Sequence, residues 1–174
     1  MAEKSSRFRN AGIVVGVLVV DQATKRAAAL SLAGRPRQSF LNDFFRLEYA
    51  ENVGAFLGLG QSLPPSIRTL IFVFGVSAVL IGVAVMLRRQ EWAPLPRLGL
   101  WLVLAGGVSN LIDRIARGSV IDFLNVGIGP VRTGIFNVAD MALMLGLGLV
   151  LVVGQSRPDA NADRVAGAEP KGGQ

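Results

Sequence analysis

The sequence contains no cysteine and no histidine. Those absences remove disulfides, thiol nucleophiles, imidazole general bases, thiolate zinc sites and histidine-based metalloprotease motifs, so neither a metal nor a cofactor is expected. Charge is also sparse: Asp, Glu, Lys and Arg make up 17% of the 174 residues against 51% apolar ones, and mean hydropathy is +0.48. Soluble domains carry about 25% charged residues, so a bilayer is the expected solvent. A net charge of +6 would direct attention to nucleic acid in a soluble protein. Basic repeats interleaved with aromatics and recognisable binding modules are lacking, however, and no nucleic-acid partner is expected.

Long apolar runs are what the chain has in quantity. Stretches at about 11–32, 67–87, 98–116 and 136–153 approach the roughly 20 residues that a membrane-spanning helix needs. The expected fold class is therefore integral membrane and mainly α: four transmembrane helices in a single membrane-embedded domain over 1–174. The first run, preceded by Lys4, Arg7 and Arg9, also has the layout of a cleavable signal peptide. It runs into Asp21-Gln22-Ala23-Thr24-Lys25-Arg26, after which helix formers resume at Ala27, and this favours retention as a first span. Four spans put both termini on one side. Lys and Arg divide evenly between the sides, but Arg88, Arg89 and Arg97 crowd one short connector, which favours cytoplasmic termini.

The first outer loop, about 33–66, is too long for a mere connector. Arg46-Leu47-Glu48-Tyr49 alternates with period two behind Phe40, Phe44 and Phe45, and Gly54, Gly58, Gly60, Pro64 and Pro65 break the chain afterwards. The pattern fits a small extracytoplasmic β-sheet with a loop, or an ordered loop anchored by interfacial aromatics. From about 154 the chain is polar and aperiodic, as expected of a disordered cytoplasmic tail. No internal repeat of the inverted-repeat transporter kind is evident.

Several polar residues interrupt the apolar runs. Asn110, Asp113 and Arg114 share one helix face, as do Asn137 and Asp140 in the next span. At about 1.5 Å per residue, Asp113 lies roughly 24 Å from its cytoplasmic end and Asp140 roughly 9 Å from its outer end, similar depths in a core of about 30 Å. Unpaired, Asp113, Arg114 and Asp140 would together cost roughly 9 kcal/mol, so partners are required. Asp113 can form a structural ion pair with Arg114 or another neighbour. Asp140 has no adjacent cation; the nearest carboxylate that could share a site with it is Asp122, in the loop past the third span. Two carboxylates held close share a proton, one acting as base and the other as acid, which is aspartic-peptidase chemistry. On these grounds alone Asp113 serves as readily as Asp122. A Ser/Lys peptidase using Ser109 and Lys25, a proton or ion carrier, and a non-catalytic assembly factor are the competing readings.

Five segments, in order, resemble the motifs of the bacterial lipoprotein signal peptidase family, signal peptidase II. They are Asp21-Gln22-Ala23-Thr24-Lys25, Glu51-Asn52-Val53-Gly54-Ala55-Phe56, Gly106-Gly107-Val108-Ser109-Asn110-Leu111-Ile112-Asp113-Arg114, Val120-Ile121-Asp122-Phe123 and Phe136-Asn137-Val138-Ala139-Asp140. The resemblance implies an intramembrane aspartic endopeptidase of the bacterial cytoplasmic (inner) membrane, with its active site toward the extracytoplasmic face. Such enzymes remove the signal peptide from a diacylglyceryl-modified prolipoprotein by cutting before the lipid-bearing cysteine. The family's catalytic pair falls on Asp122 and Asp140. Asn52, Gly54, Asn110, Asp113, Arg114, Asn137 and Ala139 fall on substrate-holding or site-orienting positions, and Asp21 and Lys25 on a supporting motif. The partners implied are the prolipoprotein substrate and membrane lipid; no obligate protein partner is evident. One departure is visible: after Gly54-Ala55 the chain passes directly to Phe56-Leu57-Gly58, where the family often has a second small residue.

Overall fold

The computed structural model describes residues 2–54 and 59–154, with side chains described over 11–54 and 59–152. The expected tail beyond 154, the departure at Phe56-Leu57-Gly58 and the side chains of Lys4, Arg7 and Arg9 therefore lie outside the described residues. The described chain is mainly helical with one small sheet. Helix α1 (Ala2–Leu32) is followed by strands β1 (Gln38–Phe40) and β2 (Phe45–Asn52). Then α2 (Pro65–Thr69), a π-helical turn (Leu70–Gly75) and α3 (Val76–Arg89) run on as one rod. Helix α4 (Pro94–Arg117), strands β3 (Val120–Ile128) and β4 (Val131–Arg132), and helix α5 (Val138–Gly154) complete the order. All the apolar stretches expected from the sequence coincide with helices, apart from Phe136 and Asn137, which precede α5.

Proline starts α4 at its first helical residue, Pro94, where the missing N–H costs nothing. Gly118, at φ 76°, ends it in the left-handed conformation that a glycine adopts without strain. Only Ser119 then separates this cap from β3, so the polar end of α4 and the start of β3 are held side by side. Helices α4 and α5 approach closely through small residues. A Cβ at Gly99 would meet the Gly146 carbonyl at 2.6 Å, and one at Gly106 would collide with the Ala139 carbonyl. The second contact brings the first turn of α5 against the middle of α4.

The antiparallel sheet has the order β1-β2-β3-β4. Ile121 and Phe123 pack with Ala28 and Leu32 of α1, so one sheet face rests on that helix; α3 meets α4 through Leu80, Leu87, Leu100 and Leu104. The turn between β1 and β2 carries Leu41, Asn42 and Asp43 at positive φ. Asp43 holds this turn by accepting hydrogen bonds from Ser39 and Arg46, and the Arg46 guanidinium keeps its carboxyl well below the usual range.

Two sequence expectations need correction. The half-buried strand expected at Arg46–Tyr49 is longer, Phe45–Asn52, and Asp122 stands in strand β3 rather than in a loop. Val120 through Phe123 are all buried because α1 covers one face of β3 and the site covers the other, so no polar–apolar alternation marks the strand.

Candidate active site

A cavity of about 310 Å³ lies between the sheet, the C-terminal part of α4 and the N-terminal part of α5. Strands supply Asn52, Val120 and Asp122, α4 supplies Asn110 and Arg114, and the α5 region supplies Asp140 with an apolar wall that includes Phe136, Met141 and Met144. The register explains why Asn52 faces it. Leu47 opposes Leu124, but Ala50 rather than Tyr49 is opposite Asp122, so β2 contains a bulge of one extra residue. Without it Glu51 would stand opposite Val120; with it Asn52 does, and side chains on one face alternate at period two. Asn52 Nδ2 accordingly donates to Asp122 Oδ2 at 3.0 Å, and its own Oδ1 accepts from the Gly54 N–H at 3.0 Å.

Asp140 is fixed by the start of its helix. Asn137 is the residue before α5, and its Oδ1 accepts from the Asp140 N–H at 2.9 Å while Asp140 Oδ2 accepts from the Asn137 N–H at 3.2 Å. This is a reciprocal capping box with a carboxylate in the third helical position, where the helix dipole also favours negative charge. Asn137 Nδ2 in turn donates to Asp122 Oδ1 at 2.6 Å. One asparagine thus ties together the two carboxylates, and the Phe136–Leu124 bridge pins it to β3. The remaining Asp140 oxygen, Oδ1, accepts from Asn110 Nδ2 at 2.8 Å.

Behind these residues lies a buried ionic network. Lys25 Nζ forms ion pairs with Asp21 Oδ2 and Asp113 Oδ2, both at 2.7 Å, and donates a hydrogen bond to Asn110 Oδ1 at 2.8 Å. Asp21 also accepts from Ser109 Oγ at 2.7 Å and from the Ala139 N–H at 2.8 Å. Gln22 Nε2 reaches Asp113 Oδ1 at 3.3 Å. Lys25 and Asp21 are fully enclosed, and Lys25 lies well inside α1. Ser109 Oγ donates to Asp21 Oδ2 and makes no hydrogen bond with Lys25, so the contact that the Ser/Lys reading needs is missing among the described residues. Of the partners left open for Asp113, it is Lys25 and not Arg114 that pairs with it; Arg114 turns away to donate to the Gly54 carbonyl at 3.0 Å and the Asn110 carbonyl at 3.3 Å.

Asp122 is 2% exposed, and burial, helped by the charge of Asp140, pushes its carboxyl up to about 6 against the lowering effect of the Asn52 and Asn137 hydrogen bonds. No group of three or more metal-ligating side chains is found among the described residues. What the arrangement offers is a pair of carboxylates on one cavity wall, oriented by amides, with a mostly apolar surface alongside. Every site residue expected from the sequence is drawn into this network, either at the cavity or directly behind it. Phe72, whose ring lies 5.5 Å from the Arg114 guanidinium, was not anticipated, because one aromatic among the apolar residues of a span carries no signal.

Helices roofed by a small sheet over this cavity define a mainly helical fold that is also seen in two solved structures, each described as a bacterial membrane enzyme. One has a TM-score of 0.74 at 23% identity, covering 95% of this chain and 94% of that one; the other has a TM-score of 0.75 at 24% identity, covering 86% and 94%. A sequence model of the family described as signal peptidase (SPase) II matches residues 13–154. Lipoprotein signal peptidases of Symbiobacterium thermophilum and Sphingopyxis alaskensis are 35% and 33% identical. The matches cover 80% of this chain and 90% of the first relative, and 93% and 97% for the second. The lipoprotein signal peptidase of Moorella thermoacetica is 37% identical, covering 75% of this chain and 82% of the relative. The chain belongs to the lipoprotein signal peptidase family, signal peptidase II, and is a peptidase of that family.

Proposed function

We propose that the protein is an intramembrane aspartic endopeptidase that removes signal peptides from diacylglyceryl-modified prolipoproteins, cutting before the lipid-bearing cysteine with Asp122 and Asp140 and a water molecule. The observation that carries this reading is Asn137, whose amide donates to Asp122 while its carbonyl and backbone N–H engage Asp140, holding two carboxylates to one cavity. The pair, sharing one proton, activates water against the scissile carbonyl. Its protonated member steadies the developing oxyanion, and the proton then passes to the leaving amine as the C–N bond breaks. Base and acid roles belong to the pair as a unit. Arg114 Nε, buried and without a hydrogen-bond partner among the described residues, is a donor suited to a substrate carbonyl.

Our reading includes four membrane spans, of which two are supported by helix length and hydropathy together. Pro65–Arg89 has a mean hydropathy of 2.8 over its most apolar window, of which only 11% is buried by the rest of the protein, and Pro94–Arg117 reaches 1.4. Their lengths of ~36–38 Å exceed a hydrocarbon core of about 30 Å. Val15 and Val19 on α1, and Leu151 and Val152 on α5, add exposed apolar surface that lipid would cover. In this reading the termini are cytoplasmic, the sheet and cavity lie toward the outer face of the bacterial inner membrane, and the substrate's acyl chains remain in lipid beside Met141 and Met144.

The test is cleavage of a purified prolipoprotein, with and without its diacylglyceryl group, by the wild type and by Asp122→Asn and Asp140→Asn. Cleavage of the lipidated substrate only, abolished in both variants while each accumulates and unfolds cooperatively, is the expected result. Full activity in either variant overturns the assignment of the pair.

A further inference from the structure

Arg114 must keep a long, charged side chain in one place at the edge of the cavity, and its two hydrogen-bond acceptors are both backbone carbonyls. One, from Asn110, lies on its own helix; the other, from Gly54, lies two residues past the end of β2. Those two bonds engage Nη1 and Nη2 and leave Nε without a hydrogen-bond partner and the guanidinium face uncommitted among the described residues. The third contact comes from the rod formed by α2, the π-helical turn and α3. That rod is α-helical except over Leu70–Gly75, where the turn widens. Widened turns of this kind within α-helices recur at functional sites, because the added residue re-aims the side chains around it.

The side chain re-aimed here is Phe72, the third residue of the widened turn. Its ring lies 5.5 Å from the Arg114 guanidinium carbon, within the range of a cation–π attraction. The ring is itself held: Gly60, at φ 80°, brings the loop so close that a Cβ there would meet Phe72 Cζ at 3.1 Å. A small second cavity of about 110 Å³ has both Phe72 and Arg114 in its lining, and Arg114 also lines the larger cavity that holds Asp122 and Asp140, so the ring meets the guanidinium on the side away from the two carboxylates' cavity.

We propose that Phe72 is a positioning residue for the peptidase reaction: the π-helical turn carries its ring to Arg114, and the ring face fixes the guanidinium at the edge of the Asp122–Asp140 cavity. Hydrogen-bond capacity on Arg114 stays available because a π face occupies none of its N–H donors. The proposal rests on the peptidase reading of the site.

The experiment compares wild type, Phe72→Leu, Phe72→Tyr, Arg114→Lys and Phe72→Leu/Arg114→Lys in detergent, measuring kcat and KM on a diacylglyceryl prolipopeptide and recording thermal unfolding for each. Leucine keeps apolar bulk and removes the π face; tyrosine keeps the face. Phe72→Leu should lose about three- to tenfold in kcat/KM, the scale of a partly desolvated cation–π contact, and Phe72→Tyr should stay within about twofold of wild type. Because lysine keeps the charge but lacks the planar face, the loss caused by Phe72→Leu should be smaller in the Arg114→Lys background. Equal activity of Phe72→Leu and wild type overturns the proposal. So does an undiminished loss in the Arg114→Lys background, or a loss in Phe72→Tyr equal to that in Phe72→Leu. Absence of cleavage by wild type would instead refute the peptidase reading.

Discussion

Replacing Lys25 by methionine keeps most of the aliphatic stem and removes the one cation from a network that is 0–1% exposed. Asp21 would still accept from Ser109 and the Ala139 N–H, whereas Asp113 would be left with Gln22 alone, at 3.3 Å. Removing one partner of a buried ion pair typically costs about 3–5 kcal/mol, chiefly because the other charge stays behind without compensation. Lys25→Met should therefore lower the unfolding free energy by roughly that amount. Lys25→Met/Asp113→Asn, which removes the more exposed debt by replacing the worse-satisfied carboxylate with a neutral amide, should recover part of the loss. Activity should fall too, and by a separate route. Lys25 holds Asn110 Oδ1, so the Asn110 amide nitrogen points at Asp140; without Lys25 the amide can reverse and place oxygen against carboxylate. Unfolding followed by tryptophan fluorescence in detergent at neutral pH, with peptidase assays on the same samples, separates the two effects. If Lys25→Met unfolds within about 1 kcal/mol of wild type and the double variant is no more stable than the single, the network does not carry the energy assigned to it.

Asp122 supplies a pH dependence with a definite sign. Its folded carboxyl titrates at about 6, above the ordinary value, so between about 4 and 6 the folded state binds more protons than the unfolded one and stability falls as pH rises through that window. Thermal unfolding from pH 4 to pH 8 should show a component of about 2 kcal/mol that disappears in Asp122→Asn; an unchanged slope in that variant would contradict the buried, raised carboxyl. Asn137→Ala removes the cap of α5 and the link to Asp122 together, so it should cost about 1–2 kcal/mol of stability and on the order of 100-fold in kcat. Unfolding and single-turnover assays would measure these, and near-wild-type kcat would show that the carboxylates do not depend on Asn137 for their placement.

The apolar helices were legible because length and hydropathy are local properties, readable without knowing what each segment touches. The π-helical turn was not. Leu70–Gly75 has the same composition as the helix around it, and its departure from α geometry appears only where Phe72 meets Arg114 and Gly60. The sheet was half legible for a related reason. Around Arg46–Tyr49 one face of β2 rests on the protein and the other is partly open, so residues alternate; β3 is enclosed on both faces at Val120–Phe123, and enclosure on both faces erases alternation.

The site followed the same division. Spacing alone marked Asn110, Asp113, Asn137 and Asp140 as polar residues on helix faces, because a charged group in an apolar run is conspicuous wherever it points. It did not say which of them meet. Asp113 has Arg114 beside it in sequence, but its ion partner is Lys25, 88 positions away in a helix that is adjacent only after folding. Asp122 reaches Asn137 because three placements coincide: the Gly118 cap turns the chain from α4 into β3, the β2 bulge brings Asn52 rather than Glu51 to the same face, and the Phe136 bridge lays the start of α5 across the strand. Each is a matter of register, and a shift of one residue in any strand moves every side chain to the opposite face. Deleting the extra residue of the bulge would thus send Glu51 toward Asp122, adding a third carboxylate where the geometry now supplies an amide donor, and the orientation of the pair would be lost even though Asp122 and Asp140 themselves remained.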